Sequence, residues 1–111
     1  MLYSSMDKTL LFIDDDPNIH KGLNRLFKQQ RVSWQYCFAS GVDEALGIIE
    51  EGGVDAVLFD INMPGKDGFD LLTHLRNDSR WQDLPIVMLS GLDSPGLKSK
   101  ALDLGATDLL N

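Results

Sequence analysis

Short apolar runs alternate along this chain with segments whose apolar residues recur every three to four positions, and few architectures accept that alternation. Thr9-Leu10-Leu11-Phe12-Ile13 is a β-rich run. Asp16-Pro17 then reads as a helix N-cap and first helical position, and Ile19, Leu23, Leu26 and Phe27 follow on one helix face. Ser33 to Phe38 is β-rich, with Trp34, Tyr36 and Phe38 alternating. Ser40 is placed to cap a second helix with Val42, Ala45, Leu46 and Ile49 inward, and Gly52-Gly53 ends it. Asp55 to Phe59 gives a third strand. Phe69, Leu72 and Leu75 or Arg76 mark a helix after the loop Asn62 to Gly68. Pro85 to Leu89 gives a fourth strand. Ser94-Pro95 repeats the cap signature before Leu97, Ala101 and Leu104, and Gly105 closes that helix. Thr107 to Leu110 begins a fifth strand. The order is βαβαβαβαβ, which predicts an α/β fold with a parallel sheet and helices on both faces. The first, third and fourth runs are almost wholly apolar, as burial on both faces requires.

With 111 residues the chain has the size of one domain, residues 1–111, in which Met1 to Asp7 reads as a flexible leader. A hydrophobic fraction of 43% and a charged fraction of 24% exclude disordered, collagen-like and coiled-coil classes. Ten Lys and Arg against 17 Asp and Glu leave a net charge of −7. Phosphate backbones are bound through Lys and Arg, so this balance argues against direct nucleic-acid binding and leaves room for a cation. No apolar run approaches the length of a membrane span, and no basic-then-apolar leader marks a secretory signal. Cys37 is the only cysteine, so an internal disulfide or thiolate cluster is impossible. These features fit a cytoplasmic protein without a membrane partner.

In open α/β sheets, ligands bind beyond the carboxyl ends of the strands, where the strand order reverses. The first strand ends in Asp14-Asp15-Asp16, the third in Asp60 and the fourth in Ser90-Gly91. Asp16, before Pro17, is accounted for as a cap, and Asp60 alone could form an Asx turn leading into Pro64-Gly65. Jointly, Asp14, Asp15 and Asp60 would crowd one crevice with carboxylates that cannot all stay ionised without a counter-charge. Oxygen donors with no His or Cys favour Mg²⁺ over zinc.

Here the chain resembles the receiver domain of two-component response regulators. Leu10 to Pro17 is similar to the family's first strand and acidic pair. Val57-Leu58-Phe59-Asp60-Ile61-Asn62-Met63-Pro64-Gly65-Lys66-Asp67-Gly68 resembles its phosphoacceptor segment. Pro85 to Gly91 matches the strand ending in its Ser/Thr, and Leu104-Gly105-Ala106-Thr107-Asp108-Leu109-Leu110 its Gly-Ala turn into the fifth strand. The match spans residues 8 to 111 or so.

The resemblance implies a flavodoxin-like, doubly wound five-stranded parallel sheet of order 2-1-3-4-5. It implies a phosphoacceptor at Asp60 that takes a phosphoryl group from a sensor histidine kinase or phosphotransfer protein. Mg²⁺ would be held by Asp15, Asp60 and the Asn62 backbone carbonyl, with Asp14 acting through bound water. Ser90 and the Gly91 backbone N–H would contact the phosphoryl group, with Ser90 and Leu109 at the switch positions. The activity implied is that of a regulatory domain assisting its own phosphorylation and dephosphorylation, not of an enzyme with a turnover substrate. An output domain C-terminal to this segment is expected, and a homodimer is possible for the family. Two departures stand out. The family's lysine would follow Asn111, so the chain reads as ending before that lysine and the fifth helix, and the usually aromatic strand-five position is Leu109.

Two further classes share this α/β pattern. A pseudo-receiver, an interaction module of the same fold that is not phosphorylated, is disfavoured by the intact Asp14, Asp15, Asp60 and Ser90 set. A flavodoxin-like ligand-binding domain is disfavoured because the acids would repel a flavin phosphate. Gly91 to Ser99 brushes against a P-loop but has one residue too many before the lysine, and no G-x-G-x-x-G follows any strand. His20 and His74 read as surface residues. Trp34, Tyr36 and Trp81 read as packing or edge residues, and Cys37 as a small hydrophobe.

Overall fold

The computed structural model describes residues 8–14, 21, 25, 34–60, 68–90 and 95–110. Its strands are β1 (Lys8–Ile13), β2 (Trp34–Ala39), β3 (Ala56–Asp60), β4 (Ile86–Leu89) and β5 (Asp108–Leu110). The described helices are α1 (Val42–Glu50), α2 (Gly68–Arg76) and α3 (Pro95–Asp103), with a single 3₁₀ turn at Ser79–Trp81. Of the helix expected after Asp16-Pro17, only Lys21 and Arg25 are described, both helical and exposed. Its cap and its apolar face lie outside the described residues.

All strand pairs are parallel, and the order is β2-β1-β3-β4-β5. The chain therefore reverses direction across the sheet between β1 and β3, opening a crevice at their carboxyl ends.

Alternation along the strands explains the core. Leu11, Ile13, Val57, Phe59, Ile86, Met88 and Leu109 fall on one face of the sheet by register, and each is at most 2% exposed. Val42, Ala45 and Ile49 of α1, Leu71, Leu72 and Leu75 of α2 and Ala101 of α3 join them in one cluster. Burying each large side chain contributes about 1.5–3 kcal/mol. On the other face the packing is uneven. Phe12 is 2% exposed and meets Phe38 edge-on at 6.4 Å between ring centroids. Val87 and Leu89 are half-buried, and Leu110 at the edge is 48% exposed.

Several element edges differ from the sequence expectation: β3 runs Ala56–Asp60 rather than Asp55 to Phe59, β4 starts at Ile86 rather than Pro85, and β5 at Asp108 rather than Thr107. The N-cap of α1 is Gly41 in extended conformation rather than Ser40. The Ser40 backbone N–H donates to Glu44 Oε2 at 3.2 Å, so a first-turn carboxylate holds the residue before the N-cap, and no side chain caps the helix itself. The second strand extends to Ala39, one residue past Phe38, and a 3₁₀ turn at Ser79–Trp81 precedes β4. That turn is capped by Asp78, whose side chain accepts from the Arg80 backbone N–H at 2.9 Å. Gly96, Leu97, Lys98 and Ser99 lie inside α3, where they do not form a phosphate-binding loop.

Candidate functional site

Each polar residue singled out at a strand end and described in the structure sits where an apolar strand gives out. Asp14 follows Ile13, the last residue of β1, and its N–H donates to the Ala39 carbonyl at 3.0 Å, carrying the β1–β2 ladder one step further. Asp60 closes β3 and lies opposite Leu89. Ser90 follows β4, and its N–H donates to the Leu110 carbonyl at 2.9 Å. The backbone ladder thus fixes the direction in which Asp14 and Ser90 leave the sheet. Ala39 and Leu110 contribute through their carbonyls, which no single-sequence motif marks.

Ile13 pairs with Phe59, so Asp14 and Asp60 both lie one residue beyond the same rung of adjacent strands. Adjacent strands run about 4.8 Å apart, which brings the two acids together at the crevice. Asp14 is only 3% exposed and Ser90 5%, whereas Asp60 is half-buried. Two carboxylates side by side can share one cation between them. The donors here are hard oxygens, a set that fits Mg²⁺.

Asp15, Asn62 and Gly91 lie outside the described residues, and no metal-ligand cluster of His, Cys, Asp and Glu occurs among those described. Leu109 is 2% exposed and pairs with Met88, so it packs as a core residue behind the strand ends. Away from the crevice, His74 is exposed, and Tyr36 and Trp81 are half-buried, Trp81 lying under the Arg80 guanidinium at 4.0 Å. Burial pushes the Cys37 thiol up from its ordinary value, away from the reactive thiolate.

The model of the response regulator receiver domain matches residues 10–111, nearly the whole chain. The chain belongs to this family. Response regulator GtcR of Aneurinibacillus migulanus is 36% identical over 106 residues, covering 96% of this chain and 42% of GtcR. The transcriptional regulatory protein MalR of Bacillus subtilis is 35% identical over 102 residues, covering 91% of this chain and 42% of MalR. The receiver thus spans less than half the length of these relatives. Among solved structures, response regulator TrrA of Thermotoga maritima, in complex with Mg²⁺ and BeF, superimposes with a TM-score of 0.76 at 26% identity. That alignment covers 93% of this receiver and 84% of TrrA. As a receiver domain the chain is a regulatory signalling module of the two-component type. Among its described residues no helix is long and apolar enough to cross a membrane.

Proposed function

We propose that this receiver domain is a phosphoacceptor switch, residues 1–111 with a short leader at 1–7, and that Asp60 takes the phosphoryl group. The observation that carries this reading is the graded exposure at the crevice: a half-buried Asp60 beside a buried Asp14, with a buried Ser90 on the next strand.

An Asp60 carboxylate oxygen attacks phosphorus in line, and the P–N bond of a phosphohistidine on a partner kinase or phosphotransfer protein breaks. With the other ring nitrogen of the phosphohistidine protonated, the electron pair goes to the nitrogen that carried phosphorus, and a neutral imidazole is left on the partner. Later attack by water on the acyl phosphate returns Asp60 and releases phosphate. Ser90 donates its hydroxyl hydrogen to a phosphoryl oxygen, aided by the Gly91 N–H. Asp14, Asp15, Asp60 and the Asn62 carbonyl are the residues to hold Mg²⁺. When bound, Mg²⁺ neutralises the charge that two acids and an anionic donor would otherwise oppose.

TrrA, named as a complex with Mg²⁺ and BeF, supports the cation and the phosphoryl site. MalR, named a transcriptional regulatory protein, supports an output domain that acts on transcription, with a cytoplasmic location and homodimerisation as further parts of the proposal.

The test is fluorine NMR of the chain with beryllofluoride, with and without Mg²⁺. A bound, slowly exchanging signal that needs Mg²⁺ and disappears in Asp60→Asn is expected. Absence of any bound signal in the native chain would favour a pseudo-receiver instead.

A further inference from the structure

Two strands enter the sheet through the same device. Asp55, just before β3, donates its N–H to the Thr9 carbonyl at 2.9 Å, and its Oδ2 accepts from the Thr9 N–H at 2.8 Å. Thr107, just before β5, donates its N–H to the Ile86 carbonyl at 2.8 Å, and its Oγ1 accepts from the Ile86 N–H at 3.0 Å. Each residue thus exchanges two hydrogen bonds with a single residue of the neighbouring strand, β1 in the first case and β4 in the second. Such a closed pair fits one alignment of the two strands and is broken by a shift of one residue.

The two strands differ in how much they need it. β3 lies inside the sheet between β1 and β4 and buries both Val57 and Phe59. A one-residue slip would turn both out of the core. β5 is three residues long and lies at the sheet edge. Of those three, Leu109 is buried, Asp108 is half-buried and Leu110 is exposed. Burial alone therefore fixes the alignment of β5 weakly.

The turn that leads into β5 is anchored. Arg76 Nε donates to the Gly105 carbonyl at 2.8 Å, and the same guanidinium donates to the Trp81 carbonyl at 2.6 Å and the Leu84 carbonyl at 2.7 Å. This clamp at the end of α2 fixes the exit from α3, and Thr107 carries that fixed point across to β4. At the other end of β5, the Leu110 carbonyl accepts from the Ser90 N–H at 2.9 Å. A slip of one residue would carry that carbonyl about 3.3 Å along the sheet, away from Ser90.

We infer that Thr107 is a positioning residue for the phosphoryl site. Its hydroxyl pins the alignment of β5 on β4 at the amino end of the sheet, and β5 then presents the carbonyl that sets the backbone of Ser90 at the carboxyl end. Asp55 makes the same pair where burial already fixes the strand, so its loss reaches the site far less. The contact of Ser90 with a phosphoryl group rests on the phosphoacceptor reading; the pinning of Ser90 through β5 does not.

The test is amide hydrogen exchange by NMR on the full chain, with Ser90 as the reporter. Val57, whose N–H donates to the Pro85 carbonyl at 2.9 Å on the other edge of β4, is the reference. Thr107→Val keeps the side-chain shape but loses the acceptor. It should speed exchange at Ser90 about tenfold, the loss of one hydrogen bond of ordinary strength, and leave Val57 near its native rate. Thr107→Ser keeps the oxygen and should restore Ser90, and Asp55→Ala should leave Ser90 near native. No change at Ser90, an equal rise at Val57, or an equal effect of Asp55→Ala overturns the inference. With Mg²⁺, the half-saturating concentration of beryllofluoride should rise several-fold in Thr107→Val and return in Thr107→Ser. Native binding in Thr107→Val would show that the pin does not reach the site. If the native chain binds no beryllofluoride, the phosphoacceptor reading falls, while the exchange rates still decide the pin.

Discussion

Gly105 and Arg76 pack directly against each other, and the arginine leaves no room for a side chain on the glycine. Arg76 Nε donates to the Gly105 carbonyl at 2.8 Å, and a Cβ on Gly105 would come within 2.7 Å of Arg76 Cγ. Gly105 also has φ +107, a conformation that side chains resist.

Gly105→Ala therefore meets two penalties, backbone strain and a displaced Arg76. A loss of about 2–4 kcal/mol is expected in a denaturant melt. Gly52→Ala is the control: φ is +86 but nothing lies within 4 Å of the added Cβ. It should cost only about 1–2 kcal/mol.

Arg76→Met should destabilise by about 2–4 kcal/mol, since three half-buried carbonyls lose a charged donor at once. Burial already holds the Arg76 guanidinium below its usual pKa, which a neutral replacement of similar length relieves in part. The denaturant midpoint of Arg76→Met beside Arg76→Lys measures what the fork geometry adds beyond charge and length.

The side-chain hydrogen bonds from Arg80 hold the Asp78 carboxyl down to about 2, aided by the Arg80 N–H. A folded pKa below the unfolded one contributes stability that is present above the ordinary carboxylate range and is lost as pH falls from about 4 toward 2. In Arg80→Leu a carbon-detected NMR titration should find Asp78 raised toward 3.8 but still below it, because the backbone N–H of residue 80 still donates to the carboxylate. Because Asp78 lies at the surface, the matching change in stability is small and shrinks with salt.

Mg²⁺ should bind weakly before any phosphoryl group arrives, because it retains several waters and needs few protein ligands. Asp15→Asn should weaken binding most in titration calorimetry, and Asp14→Asn less, through a water. Unchanged affinity in Asp15→Asn would remove it from the ligand set.

The helices were legible because Val42, Ala45 and Ile49, or Leu72 and Leu75, repeat at helical spacing and are in fact buried. Asp14, Asp60 and Ser90 were legible as polar residues that interrupt apolar strands at their carboxyl ends. Strand order was not legible in the same way. Runs such as Leu10–Ile13 and Val57–Phe59 do not say which pairs with which, and the order 2-1-3-4-5 came from the family resemblance. The clamp was invisible, because Arg76 at the end of a helix looks like any surface arginine until the Trp81, Leu84 and Gly105 carbonyls converge on it. The cap of α1 was not legible either: the helix starts one residue later than Ser40 requires, with its N-cap at Gly41, where no side chain caps it.

The central claim is that Asp60 is the phosphoacceptor. Incubation with acetyl phosphate and Mg²⁺, followed by intact mass measurement, tests it most directly. The native chain should gain one phosphoryl group, gain none when Mg²⁺ is removed before the reaction, and show none in Asp60→Asn. Labelling of Asp60→Asn at the native rate, or loss of labelling only in Asp14→Asn, would contradict the assignment.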